Sequence, residues 1–157
     1  MERHGIRVFR IAERLAAMRG EQPDRELLRC AGLLHDLGIY EGASRGGVYV
    51  HDGALFAREL LGGPGWPEER LAVLADAIEC HHELRPQWSR GVEVETVRRA
   101  DLVEVTNCAV RFGIDRAWYR ALCRELPRMG FYRELGGLVA GMLKERPLTL
   151  PRIFLRR

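Results

Sequence analysis

The run Ala31-Gly32-Leu33-Leu34-His35-Asp36-Leu37-Gly38 sets an imidazole beside a carboxylate at the end of an apolar, helix-like stretch. Burying such a pair is costly unless other groups satisfy it. The chain must therefore fold so that partners from elsewhere reach His35 and Asp36. A divalent metal is the natural common partner, because imidazole nitrogen and carboxylate oxygen both ligate first-row metals. His4, His51, His81, His82 and Asp101 supply further donors, so every histidine of the chain falls into one candidate ligand set.

These donors lie on a chain whose apolar residues recur almost throughout at helical spacing. Val8, Ile11, Ala12 and Leu15 form a first stripe, with His4 one step before Val8; Gly20 ends that helix and Pro23-Asp24 opens the next. On the second helix Leu27, Ala31, Leu34 and His35 share a face, and Gly38 supplies a stop. Glu41 to Tyr49 reads as a glycine-rich loop and His51 starts a third helix. Gly62-Gly63-Pro64-Gly65 breaks the chain, and Pro67 restarts it as a first-turn proline. A fourth helix leads up to His81 and His82, and a fifth carries Val97, Asp101, Val105 and Cys108 on one stripe. Asp115 is placed to cap a sixth helix, Phe131 to Lys144 reads as a seventh, and Pro147 and Pro151 mark an irregular tail. Only Val48 to Val50 and Val92 to Val94 hint at strand alternation. The expected fold class is all-α, with about six to seven helices in a single domain over residues 1–157.

Composition narrows the function classes. A chain that is 46% hydrophobic and 30% charged is an ordinary globular protein, not a disordered one. A net charge of +3 is too small to argue for a long nucleic acid. All basic residues except Lys144 are arginines, whose planar fork suits phosphate and carboxylate. No apolar run is long enough to span a bilayer, and Met1-Glu2-Arg3-His4 lacks a signal-peptide pattern, so no membrane partner is expected and cytoplasm is the expected location. Cys30, Cys80, Cys108 and Cys123 show no Cys-x-x-Cys spacing and are expected to be reduced, mostly buried thiols within helices.

Each donor taken singly has an ordinary explanation. A lone histidine on an apolar face is usually a satisfied core residue, His51 suits a helix start at the surface, and Asp101 could pair with Arg98 or Arg99. The joint pattern is harder to explain that way. Four separate helices each place a His or Asp on or beside their apolar stripe, where an unpaired polar group costs roughly 1–3 kcal/mol. One shared metal centre satisfies them together.

The order His4, His35-Asp36, Asp101 on a helical chain resembles the HD-domain superfamily of metal-dependent phosphohydrolases. His4-Gly5-Ile6-Arg7-Val8 resembles its opening His-x-x-Arg-Val, and Ala31 to Gly38 its Ala-x-Leu-Leu-His-Asp-hydrophobic-Gly core. His51-Asp52-Gly53-Ala54 resembles the His-x-x-Gly-Ala that follows in many members. Ala77-Ile78-Glu79-Cys80-His81-His82-Glu83 resembles the Ala-Ile-x-x-His-(His) helix end, and Arg99-Ala100-Asp101 the late Ala-Asp. The resemblance covers residues 4 to 110 and leaves the helices at 115–145 outside it.

The resemblance implies an orthogonal helical bundle in which His4, His35, Asp36 and Asp101 hold one metal. It also implies a second ion, bridged by Asp36 and held by His51 with His81, His82 or both. The ions expected are Fe, Mn, Co, Ni or Zn. Two such metals share a water, lower its pKa and hold it for in-line attack on phosphorus, which makes Asp36 a catalytic residue. Arg7, Arg45 and Arg85 are the candidate substrate-binding arginines, with Arg7 also catalytic because it lies about one turn from His4. Glu83 or Glu79 is the candidate proton acceptor or partner of a ligand histidine. The substrate expected is a small phosphorylated metabolite, foremost a nucleotide.

The chain departs from the family pattern in three places. Ile39 stands where many members carry a phosphate-contacting lysine. Leu84-Arg85-Pro86-Gln87-Trp88 replaces the Asp-Gly-x-Gly-Tyr-Pro of cyclic di-GMP hydrolases, which sets that substrate aside. The interval from Asp36 to His51 is short, so loop Ser44 to Tyr49 is either a plain connector or part of the pocket wall. Two other readings stay open: a mixed-valent di-iron oxygenase of the same fold, and a non-catalytic metal-stabilised regulatory module. Lys144 is the sole lysine available to the oxygenase reading, which needs substrate lysines. Trp118, Tyr119, Phe131 and Tyr132 suit either the core or an interface, and a homodimer stays open.

Overall fold

The computed structural model describes residues 2–145; Pro147, Pro151 and the side chain of Lys144 lie outside the described residues. The described chain is all-helical, in the order α1 (Glu2–Ala17), α2 (Arg25–Leu34), α3 (Tyr49–Leu61), α4 (Glu68–Glu79), α5 (Val92–Val105), α6 (Arg116–Glu125) and α7 (Phe131–Glu145). Short 3₁₀ turns follow α2 at Leu37–Ile39 and precede α5 at Trp88–Arg90. Among the described residues there is no strand, only one antiparallel bridge between Gly63 and Trp66. The alternation at Val48 to Val50 and Val92 to Val94 falls instead at the starts of α3 and α5. Runs that short have no partner strand to satisfy their backbone, and the helix satisfies it locally.

Helix starts follow side-chain chemistry. Asp24 caps α2 by accepting from the Leu27 amide at 3.0 Å, and Asp115 caps α6 by accepting from the Trp118 amide at 2.8 Å. Asp24 also takes two bonds from Arg70, at 2.6 and 2.9 Å, which ties the start of α2 to α4. Pro67 caps α4 rather than occupying its first turn. The fifth helix ends at Val105, so Cys108 lies outside it, in a turn where Asn107 and Cys108 have φ of 51° and 61°.

The core is built around α1. Val8, Ile11 and Ala12 are wholly buried, and Leu28, Ala54, Leu74, Ile78, Val97 and Val103 join them from α2 to α5. Helix α1 packs against both α2 and α5, while α3 pairs with α4 and α4 with α5. Tyr119 and Leu122 of α6 belong to the same core.

The α1–α2 crossing is unusually close because two glycines meet there. A Cβ on Gly5 would sit 2.6 Å from the Gly32 carbonyl oxygen, and one on Gly32 would sit 3.0 Å from the Gly5 oxygen. A side chain at either position would push the helices apart, and the approach brings residue 4 opposite residue 35. The second tight point is Gly38, where a Cβ would lie 1.9 Å from the Tyr49 carbonyl oxygen. That contact seats the turn after Asp36 on the first turn of α3.

Candidate metal centre

Six donor residues converge where helix ends meet helix α5. His4 comes from the first turn of α1, and His35 and Asp36 from the turn just past α2. His81 and His82 come from the turn past α4, and Asp101 from within α5. Ligand atoms of His4, His35 and Asp101 lie within 4.8 Å of one another, as do those of His35, Asp36 and His81, and those of His81, His82 and Asp101. His4, His35, His81 and Asp101 are buried; Asp36 and His82, with side chains 16% and 22% exposed, are where the cluster meets solvent.

The distances are short and shared. His4 Nε2 lies 3.0 Å from His35 Nε2, 3.4 Å from Asp101 Oδ1 and 3.6 Å from Asp36 Oδ2. His35 Nε2 lies 3.3 Å from Asp36 Oδ2 and 3.7 Å from Asp101 Oδ1. On the other side His81 Nε2 is 3.7 Å from Asp36 Oδ1, and His82 Nδ1 is 3.3 Å from Asp101 Oδ2.

Backbone carbonyls set the ring tautomers. His35 Nδ1 donates to the Gly32 carbonyl at 2.9 Å and His81 Nδ1 to the Ile78 carbonyl at 2.6 Å. A carbonyl only accepts, so each Nδ1 carries its proton and, in the neutral ring, each Nε2 presents a lone pair inward. His4 lies flat against Phe131 of α7, with ring centroids 4.3 Å apart.

The electrostatics are those of a buried anionic site. Burial opposes ionisation of Asp36 and Asp101, yet His35 beside the first, and His4 and His82 beside the second, hold both carboxyls well below the usual range. Burial disfavours a charged His35, but the neighbouring Asp36 and Asp101 outweigh it and raise the imidazole to about 9. Burial, reinforced by His82 and His35, pushes His81 down to about 3. Two ionised carboxylates and four imidazoles packed this closely fit a cation: Nε2 atoms 3.0 Å apart either share a proton or give their lone pairs to a metal.

The remaining expected site residues lie outside the donor groups. His51 is half exposed and its Nδ1 pairs with Glu79, so neither belongs to the donor groups. The reason is the register of α3: the helix starts at Tyr49, so Tyr49 and Gly53 face the Gly38 turn, and position 51 points outward. Arg7 is not a substrate-facing group. It is fully buried, with Nε donating to Glu104 Oε1 at 2.7 Å and Nη1 to the Leu126 carbonyl at 2.8 Å. It shares the face of His4, as expected, but that face is covered by α5 and the segment after α6. Arg45 is paired through its side chain with Glu59 on α3. Arg85 is exposed, three residues beyond His82, and Glu83 is buried with its carbonyl accepting from Arg98 Nη1 at 2.9 Å.

Three residues that the sequence did not single out as site residues touch the centre. The Tyr49 hydroxyl lies 3.4 Å from His81 Nε2. Glu104 Oε1 is 3.9 Å behind His4 Nδ1, and His4, Arg7 and Tyr119 hold its carboxyl down at about 2 against the effect of burial. Phe131 stacks on His4. Glu104 could have been found one turn beyond Asp101 on the same helix; nothing local marks Phe131.

A family model described as HD domain matches residues 1–106. No curated protein and no solved structure matches the chain.

Proposed function

The chain belongs to the HD-domain family, whose members are generally metal-dependent hydrolases, and on that premise we propose that it hydrolyses phosphate esters of small metabolites, foremost nucleotides. The observation that carries this reading is the buried convergence of His4, His35, Asp36, His81, His82 and Asp101. A structural core has no reason to gather two ionised carboxylates and four imidazoles, since each costs desolvation.

The donor set has two halves. His4 and His35 would hold one ion with Asp36 Oδ2 and Asp101 Oδ1; His81 and His82 would hold a second with Asp36 Oδ1 and Asp101 Oδ2. Both carboxylates would contribute to each half, and His82 would take the part expected of His51. Fe, Mn, Co, Ni and Zn all suit such donors. When bound, the metal supplies Lewis acidity toward phosphoryl oxygens and lowers the pKa of water.

The chain's own residues do the rest. Gly32 and Ile78 carbonyls fix the rings of His35 and His81, so their lone pairs face inward without reorganisation. Phe131 and the buried face of α1 keep water from one side, leaving the side of Asp36 and His82 as the approach. Arg85, exposed three residues beyond His82, would be the arginine to meet a substrate phosphate.

The test is turnover of p-nitrophenyl phosphate, then of nucleoside monophosphates and dinucleotides, by protein loaded with Mn²⁺, Ni²⁺ or Co²⁺. Metal-dependent release of phosphate that disappears in His35→Ala and Asp36→Ala is expected. A metal-loaded protein inert toward every ester would overturn the reading.

A further inference from the structure

The His81 ring has two nitrogens and both are engaged. Nδ1 donates to the Ile78 carbonyl at 2.6 Å, so the Nε2 lone pair is the one acceptor the ring offers. The Tyr49 hydroxyl, 3.4 Å away, donates to that lone pair. The same lone pair is what His81 would give a metal. One lone pair cannot serve both, so a metal on His81 evicts the phenol's hydrogen bond.

The evicted hydroxyl has little freedom to leave. Tyr49 is the first residue of α3, and its carbonyl is wedged against Gly38, where even a Cβ would lie 1.9 Å away. Its ring meets those of His81 and His82 edge-on, with centroids 6.2 Å away in each case. The hydroxyl is only part-buried, so once released it donates to whatever acceptor enters from solvent beside the ions, water or a ligand oxygen. Asp36 and Asp101 are committed to the histidines on both oxygens. The acceptor chemistry that fits is therefore an oxyanion entering beside the ions.

We propose that Tyr49 is the hydrogen-bond donor that holds an oxyanion ligand, a phosphate group, at this centre, and that a metal on His81 releases it for that role. The inference rests on the metal reading above. It adds a substrate-contacting residue from the first turn of α3, where the sequence directed attention to His51.

The experiment compares wild type with Tyr49→Phe, which keeps the ring and removes only the hydroxyl, and uses Tyr40→Phe as a control. Calorimetry measures Mn²⁺ binding to each protein, then inorganic phosphate binding to the Mn²⁺-loaded protein. Tyr49→Phe is expected to bind Mn²⁺ at least as tightly as wild type, because the competitor for His81 is gone. It is expected to bind phosphate about tenfold or more weakly, the loss typical of a hydrogen bond to a charged group. Tyr40→Phe should change neither. Equal phosphate affinity in Tyr49→Phe and wild type overturns the inference, and so does weakened Mn²⁺ binding. A second measurement needs no variant: Mn²⁺ should perturb the tyrosine ultraviolet difference spectrum of wild type, and an unperturbed spectrum overturns the release step. Phosphate held through Tyr49 without turnover of any ester would sink the hydrolase reading and leave this one standing.

Discussion

Asp36, just past α2, and Asp101, within α5, divide the six-residue cluster in the same way. Each turns one carboxylate oxygen toward His4 and His35, and the other toward one ring of the His81-His82 pair. A carboxylate used on both oxygens cannot be replaced by a group with one. That constraint fixes what substitutions at these positions do.

Asp36→Asn keeps the shape but exchanges one oxygen for an NH₂ that cannot ligate. Both halves of the donor set lose charge, and one half loses a donor. On the two-ion reading, metal content by elemental analysis is expected to fall from two ions to one or fewer per chain. Phosphatase activity should fall at least 100-fold, corresponding to about 2.7 kcal/mol. Asp101→Asn should behave alike, since its two oxygens are shared in the same manner.

His51 and His82 make opposite predictions. His51 is half exposed and paired with Glu79, outside the cluster, whereas His82 Nδ1 stands 3.3 Å from Asp101 Oδ2. His51→Ala should leave Mn²⁺ affinity within about twofold of wild type, as expected of an exposed ion pair. His82→Ala should remove the second ion. Isothermal titration with Mn²⁺ reads both, and the reverse ordering would restore His51 as a ligand.

Much of this centre was legible because its donors interrupt helical stripes. His4, His35 and Asp101 stand on faces that periodicity marks as buried, and a polar group there calls for a partner. The turn of α3 was not legible to the residue. The sequence reads as loop through Tyr49 with the helix opening at His51, and a two-residue difference rotates a helical position by about 200°. That small difference exchanges His51 for Tyr49 as the residue facing His81. Arg7 was correctly set on the face of His4, but a sequence does not say what covers a face. Glu104 and the Leu126 carbonyl cover this one, and Phe131, from beyond the matched segment, covers His4 itself.

The glycine contact between α1 and α2 is a direct test of how His4 is brought to His35. Gly5→Ala puts a methyl 2.6 Å from the Gly32 carbonyl oxygen, a backbone atom that cannot swing aside. The helices must separate, at a cost of roughly 1–3 kcal/mol for overpacking. Differential scanning calorimetry should show a lowered midpoint, and Mn²⁺ affinity should fall although no ligand is altered. A stable variant with unchanged affinity would show that the 3.0 Å approach of the two rings is unimportant to binding.

Acid stability should track Glu95, a buried carboxylate outside the metal donor set. Glu95 is fully buried in α5 and accepts from Arg98 at 2.8 Å through two nitrogens, from Arg99 Nε at 2.6 Å and from the Gln87 amide at 2.6 Å. Burial alone would raise its pKa, but Arg98, the Gln87 amide and Arg99 outweigh it and lower the group below the ordinary 4.5. A carboxyl depressed in the folded state binds its proton more readily once unfolded. Its contribution is therefore complete above the unfolded pKa and is lost as pH falls through 4.5 toward the folded value. Thermal midpoints of metal-free wild type should thus be level in this term near neutrality and fall as the medium is acidified. Glu95→Gln removes the titrating group and leaves two arginines without their shared anion. It should be less stable near pH 7 by about 3–5 kcal/mol, with a shallower acid slope than wild type. Parallel slopes for the two proteins would mean that acid instability arises elsewhere.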